Sequence, residues 1–297
     1  MAMQARRLVR PVTENDWQGL SHLVAREAFV HQHLDWRSPL DWIGAKPYIL
    51  LETDRVGNSS LSTSTYPLAA LACPPDPPGI AWIRVFAVSP QINENETWQI
   101  LWHAAQEQLT RDGFTGIVAA IPLYSWFLDI LDSSEFCHTH DVVLLSWVST
   151  NIPPDRELPT IKIRYMYFQD LPEVQLVDKA AFPPLWHYSR GTLKLALQNS
   201  ILATVAEQDG QIIGYQISTA THIAGGHIAR LAVLPEYQGL GIGYILVRDV
   251  LVQLTQRGFS MITVNTQHNN LASLTLYDKI GFCRTRESYP VYEWTNK

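Results

Sequence analysis

The chain has 297 residues, long for one compact domain, so a length of roughly 150 residues per domain leads us to expect two. Hydrophobic residues make up 46% of it and charged residues 17%, a composition that excludes a mainly disordered chain. The 22 basic side chains are outnumbered by 28 acidic ones, a net charge of -6, and no Lys/Arg run supplies the basic face of a nucleic-acid binder.

Taken in chain order, the segment Met1 to Pro11 carries Arg6, Arg7 and Arg10, and no apolar stretch follows that would read as a secretory signal. No apolar run reaches the roughly 18 residues of a membrane span. Cys73, Cys137 and Cys283 are far apart and form no C-x-x-C pair, which argues against a disulfide framework or a zinc site. A cytoplasmic protein with no metal, no membrane partner and no nucleic-acid partner is the expectation. Ten Trp and twelve Tyr read first as core and interface filler, with an aromatic-lined substrate cleft as the sharper alternative.

The segment Ser149 to Pro159 holds three prolines among polar residues and cannot continue a helix or a central strand, so it reads as a linker. Beyond it strands and helices alternate. Residues 161–167 alternate like a strand, and Asp170 caps a helix carrying Val174, Leu176, Val177 and Ala180. A second helix is predicted over 191–199. Strands 201–207 and 211–218 flank Asp209-Gly210, a strong two-residue hairpin signal. A strand over 227–234 stops at Pro235. The helix predicted over 241–257 keeps Ile245, Leu246, Val250, Leu251 and Leu254 on one side and ends at Gly258. A buried strand over 261–266, a helix over 271–280 closed by Gly281, and a last strand over 291–295 complete the series. This order predicts an α/β protein with helices flanking a sheet.

A weaker copy of the plan sits in the first half. Val85 to Pro90 parallels Arg230 to Pro235, and Arg111-Asp112-Gly113-Phe114 parallels Gln256-Arg257-Gly258-Phe259. Val88 to Phe114 spans 26 positions, as does Val233 to Phe259; Phe114 to Phe136 spans 22, against 23 from Phe259 to Phe282. We read an internal duplication with a period of about 145 residues.

The run Gln238-Gly239-Leu240-Gly241-Ile242-Gly243 follows a strand and opens a helix. Such a turn aims backbone N–H groups at one point with the positive end of a helix dipole behind them, and glycine lets the backbone approach a ligand. On its own it reads as readily as a helix cap as it does as a pyrophosphate site. A dinucleotide-binding turn would stand at the first strand, with an acidic residue about 20 residues on. Here the loop is late and the next strand ends Val264-Asn265-Thr266. A Walker loop is excluded, since no Gly-Lys-Ser/Thr follows.

Residues Asn270 to Phe282 then resemble the N-x-x-[AS]-x-x-L-Y-x-K-x-G-F segment of the GNAT N-acetyltransferase superfamily, and Gln238 to Gly243 after Ala232 to Pro235 resembles its Q-x-x-G-x-G turn. The resemblance covers residues 160–297. It implies two tandem GNAT-like domains, 1–150 and 160–297 with a linker at about 149–159, each a mixed, mostly antiparallel sheet flanked by helices. It implies that Gln238, Gly239, Gly241 and Gly243 hold the pyrophosphate of acetyl-CoA and that the backbone of Leu231 and Val233 pairs with the pantetheine arm. Asn270 would contact that arm, and the Tyr277 hydroxyl would serve as general acid to the departing thiolate. A phenol with a pKa near 10 can donate to a thiolate; the plain alternative for Tyr277 is a core aromatic.

For the general base, the histone-acetyltransferase branch has a glutamate eleven residues before the motif glutamine, where this chain has His227. The ribosomal-protein alanine acetyltransferase branch has its glutamate on the following strand, where Asn265 stands. His222, Glu207 and a water relay are further candidates. Residues 180–188 are similar to the acceptor-side helix and loop of peptide N-terminal acetyltransferases, with Trp186 and Tyr188 either walling the acceptor cleft or filling a gap between domains.

The first half departs from the pattern: Gln91 to Thr97 has no glycine and two carboxylates, Leu131 stands in place of Tyr277, and Glu135 in place of Gly281. That copy is expected not to bind CoA. The leading expectation is acetyl transfer from acetyl-CoA to a primary amine, on a small molecule or a peptide N-terminus. A non-catalytic acyl-CoA sensor and a nucleotide-dependent oxidoreductase are the alternatives.

Overall fold

The computed structural model describes residues 7–27, 29–53, 67–148, 151–221 and 225–295. Its chain divides into two units, residues 1–139 with 291–297, and residues 140–290.

In the first unit the elements are β1 (Arg7–Pro11), α1 (Trp17–Arg26), β2 (Phe29–Gln32), β3 (Tyr48–Thr53), β4 (Ala69–Ala72), β5 (Ile80–Trp82), β6 (Val85–Val88), α2 (Glu94–Arg111), β7 (Ile117–Ala120), α3 (Ser125–Asp132) and the start of β8 (Cys137–Val148). Five strands form an antiparallel sheet in the order β1-β3-β4-β6-β2, while β5 runs parallel to β7. Trp98, Leu101, Trp102, Ala105 and Leu109 recur every three or four residues along α2, and that stripe is buried in one core with Phe86 and Phe127.

The second unit continues with β9 (Lys162–Tyr165), α4 (Leu171–Ala181), α5 (Arg190–Gln198), β10 (Leu202–Gln208), β11 (Gln211–Ala220), β12 (Gly226–Val233), α6 (Ile242–Gln256), β13 (Met261–Gln267), α7 (Leu271–Ile280) and β14 (Cys283–Thr295). Strands β8, β13, β12, β11, β10 and β9 neighbour one another in that order, antiparallel except for β12 and β13. Asp209 and Gly210 turn the β10–β11 hairpin at φ 50° and 82°. Both halves run strand, helix, strand, helix, strand: β6-α2-β7-α3-β8 and β12-α6-β13-α7-β14.

The terminal strands are exchanged, which corrects the expected boundaries of 1–150 and 160–297. Residues 142–148 of β8 pair with β13, burying Val143, Leu145 and Trp147 in the second core. Tyr292 to Thr295 of β14 pair with β7 in the first unit, where Trp294 Nε1 donates to Glu135 at 3.1 Å and the Tyr292 hydroxyl donates to Asp132. The breaks therefore fall inside two strands and not at the proline-rich segment. That segment, described from residue 151, is pinned to α6: Arg248 Nε donates to Pro153 O (3.0 Å) and Tyr244 OH to Pro154 O (2.9 Å). Strand β14 also begins eight residues earlier than expected, because its first half is largely exposed and shows no apolar alternation. No helix among the described residues is long and apolar enough to cross a membrane.

Candidate active site

Strand β12 carries a bulge. Ile217 of β11 faces Arg230 and Ser218 faces Ile228, so Ala229 has no partner there. At the same point the parallel ladder with β13 ends, its registers being Gly226↔Ile262, His227↔Thr263 and Ile228↔Val264. From Ala229 onward β12 keeps β11 on one side and, among the described residues, has no strand on the other. Leu231 and Val233 lie on this free stretch, where a sheet edge can accept an extended ligand by backbone hydrogen bonds.

The strand leads through a short turn into α6. Gly239 and Gly241 have φ of +79° and +96°, a left-handed backbone that other residues adopt at a cost. Gly241 is the N-cap of α6, and no side chain among the described residues caps the helix; its first backbone bond is Ile245 N–H to Gly241 O at 3.1 Å. The N–H groups of Ile242, Gly243 and Tyr244 are thus left to an outside acceptor. Two other helices of the unit are closed by their own sequence: Ser189 accepts from Thr192 N on α5, and Asn270 from Ser273 N on α7. The start of α6 therefore fits an anion such as pyrophosphate. Gln238 bonds back to the strand end, its Nε2 donating to Val233 O at 3.0 Å. Gly243 has a packing reason to be glycine, since a Cβ there would come within 3.0 Å of Leu276 Cδ2.

That contact joins α6 to α7, which carries the other two predicted residues. Asn270 is occupied at both ends of its amide, Oδ1 by the cap and Nδ2 by Gln267 Oε1 at 3.4 Å. Tyr277 is 3% exposed, packs at 5.4 Å on Phe282, and is raised above the ordinary phenol value by burial, so it stays protonated.

His227 stands at the closed end of the β12–β13 ladder. Its Nδ1 is 2.8 Å from Thr263 Oγ1, and burial lowers its pKa to about 4, so the ring is neutral near pH 7. Glu207 is ion-paired with Arg164 at 2.7 Å, Asn265 is exposed, and His222 lies outside the described residues.

Sequence reasoning missed a buried cluster beside this strand. Asp178 of α4 is fully buried; its Oδ2 accepts from Tyr215 OH (2.5 Å) and Arg230 Nε (2.8 Å), and its Oδ1 from Tyr188 N (2.9 Å). Arg230 also donates to Trp186 O, and its guanidinium carbon lies between the Phe182 and Tyr188 rings at 3.6 and 3.9 Å from their centroids. Trp186 and Tyr188 are thereby held beside β12. The available signal was an arginine in the apolar run Ile228 to Val233 and an aspartate on the buried face of a helix.

The first unit repeats part of this. Trp82 ends its parallel ladder with β7, and Arg84 just beyond pairs with Asp35 at 2.7 Å and lies over Trp42. Its helix start differs. Asn93 caps α2 by accepting from Glu96 N (2.9 Å), and Glu94 and Glu96 occupy the first turn, where their charges would repel a phosphate. Leu131 is fully buried, and Glu135 is committed to Trp294 and Gln106.

A strand freed from its parallel neighbour, followed by an uncapped glycine turn and helix, is the framework of an acyl-CoA N-acetyltransferase fold. Residues 169–282, within the second unit, match the model of the acetyltransferase (GNAT) family. A stretch of 67 residues, 23% of the chain, is 37% identical to 45% of N-alpha-acetyltransferase 30 of Schizosaccharomyces pombe. Another alignment, covering 44% of the chain, is 27% identical to half of the mycothiol acetyltransferase of Rhodococcus jostii. The chain thus spans about half the length of these curated relatives. Over its whole length the fold resembles a tandem GNAT protein from the clavulanic acid biosynthesis pathway, with a TM-score of 0.64, 12% identity and 98% of each chain covered.

Proposed function

We propose that the second unit transfers an acetyl group from acetyl-CoA to a primary amine. The observation that carries this reading is the uncapped, glycine-lined start of α6 directly after the open stretch of β12. The family match and the acetyltransferase names of the relatives support it. Acetyl-CoA supplies an activated thioester. The N–H groups from Gly239 to Tyr244 bind its pyrophosphate, and the backbone of Leu231 and Val233 binds its arm, assisted by Asn270. Tyr277, kept protonated by burial, donates to the sulfur as the C–S bond breaks.

His227 is the candidate to take the proton of the attacking amine; its neutral ring accepts a proton, though a pKa of about 4 makes it a weak base near pH 7. Trp186 and Tyr188 wall the acceptor side. The relatives act, by name, on protein N-termini and on mycothiol, so a peptide N-terminus and a small-molecule amine are the acceptor classes to try.

The test is free-thiol release by the full chain with acetyl-CoA and a panel of small amines, lysine and peptides with free N-termini. Amine-dependent thiol release is expected. Thermal stabilisation by acetyl-CoA with no turnover on any amine would favour a sensor instead. Stabilisation by NAD(P) and not by CoA would favour an oxidoreductase.

A further inference from the structure

The uncapped start of α6 has a neighbour that the family motif does not include. A Cβ built on Gly241 would lie 2.7 Å from both Cζ and Nη1 of Arg156, so this guanidinium rests directly on the glycine turn. Arg156 comes from the proline-rich segment before β9, far from the turn in sequence. The backbone that leads into it is held to α6. Tyr244 OH and Arg248 Nε hold the carbonyls of Pro154 and Pro153, and Arg248 pairs with Asp155 at 3.2 Å. Arg156 N–H donates to Asp155 Oδ1 at 2.9 Å.

Electrostatics makes this placement unusual. The start of a helix carries partial positive charge and unpaired N–H donors, and it favours anions over cations. Here an arginine side chain sits at that end, and among the described residues no carboxylate or carbonyl accepts from its guanidinium. Arg156 and the α6 N–H groups are thus both donors at the glycine turn, with no acceptor for the guanidinium among the described residues. A polyanionic group would satisfy both, since guanidinium matches phosphate oxygens in charge and fork geometry.

We infer that Arg156 is a phosphate-binding residue of the acyl-CoA site, delivered by the proline-rich segment before β9 and directed at the pyrophosphate that the glycine turn holds. The inference rests on the function proposed above and extends it to a residue outside residues 169–282. The segment 151–159 then acts as one wall of the cofactor site, secured to α6 by Tyr244 and Arg248.

The experiment is calorimetric titration of the full chain and its Arg156→Ala and Arg156→Lys variants with acetyl-CoA and with its 3′-dephospho form. Arg156→Ala should weaken both ligands about tenfold, as expected for losing a hydrogen bond to a charged group, and should flatten the salt dependence of binding. Arg156→Lys should recover part of the loss, and the melting temperature without ligand should stay as in the parent chain, because the side chain is exposed. Unchanged affinity in Arg156→Ala, with binding still abolished by Gly241→Glu, would overturn the inference and leave the proposed function standing. A loss confined to the 3′-phosphorylated ligand would overturn the pyrophosphate assignment. No binding of acetyl-CoA by the parent chain would overturn both.

Discussion

Burial sets the protonation of the residues that matter most. Tyr277 is enclosed by the second core and held above the ordinary phenol range; it can donate a hydrogen bond to a thiolate but will not be ionised near pH 7. Removing only its oxygen leaves the packing on Phe282 intact. Tyr277→Phe should therefore lower kcat by about 100-fold, the scale of general-acid assistance, with the Kd for acetyl-CoA nearly unchanged. Single-turnover thiol release together with equilibrium binding separates the two quantities. An unchanged kcat would leave Tyr277 as a core aromatic. Its place in the motif is readable from sequence, but the choice between the acid and the packing role is not, because both use the same buried ring.

At the scale of elements, the bulge at Ala229 does two things. It ends the ladder with β13, and just past it Arg230 enters the Asp178 cluster that gathers Phe182, Trp186 and Tyr188. Breaking a buried pair leaves an uncompensated charge, so Asp178→Ala should destabilise the second unit by about 3–5 kcal/mol. Denaturant unfolding followed by the near-ultraviolet signal of the aromatic loop would measure it. A loss below about 1 kcal/mol would mean that the cluster does not hold the loop.

The elements themselves were largely legible. Helix α6 follows the spacing of Ile245, Leu246, Val250, Leu251 and Leu254, and the hairpin follows Asp209-Gly210. The cluster was not legible, since Asp178 and Arg230 are 52 residues apart and only the fold makes them neighbours. Arg156 was hidden for the same reason, on a segment whose prolines mark it simply as a connection.

For the whole molecule, duplication was visible in sequence, but the exchange of final strands was not. Tyr292 and Trp294 look like the end of the second domain, yet their partners are Asp132 and Glu135 of the first. Pairing between strands of similar pattern in two copies of one plan cannot be assigned from local periodicity. The same duplication makes a sharp statement about function. Both halves keep the parted strand and a buried Arg–Asp pair, while only the second keeps a helix start free of caps and carboxylates.

The most direct test is therefore the stoichiometry of acetyl-CoA binding to the full chain by isothermal titration calorimetry, in the parent and in Gly241→Glu. Glutamate there would add a carboxylate at the anion site and a side chain where φ is +96°. One equivalent bound per chain, abolished by Gly241→Glu in a protein that still folds, is the predicted result. Two equivalents, or affinity retained in the folded variant, would contradict the assignment of the site to the second unit alone.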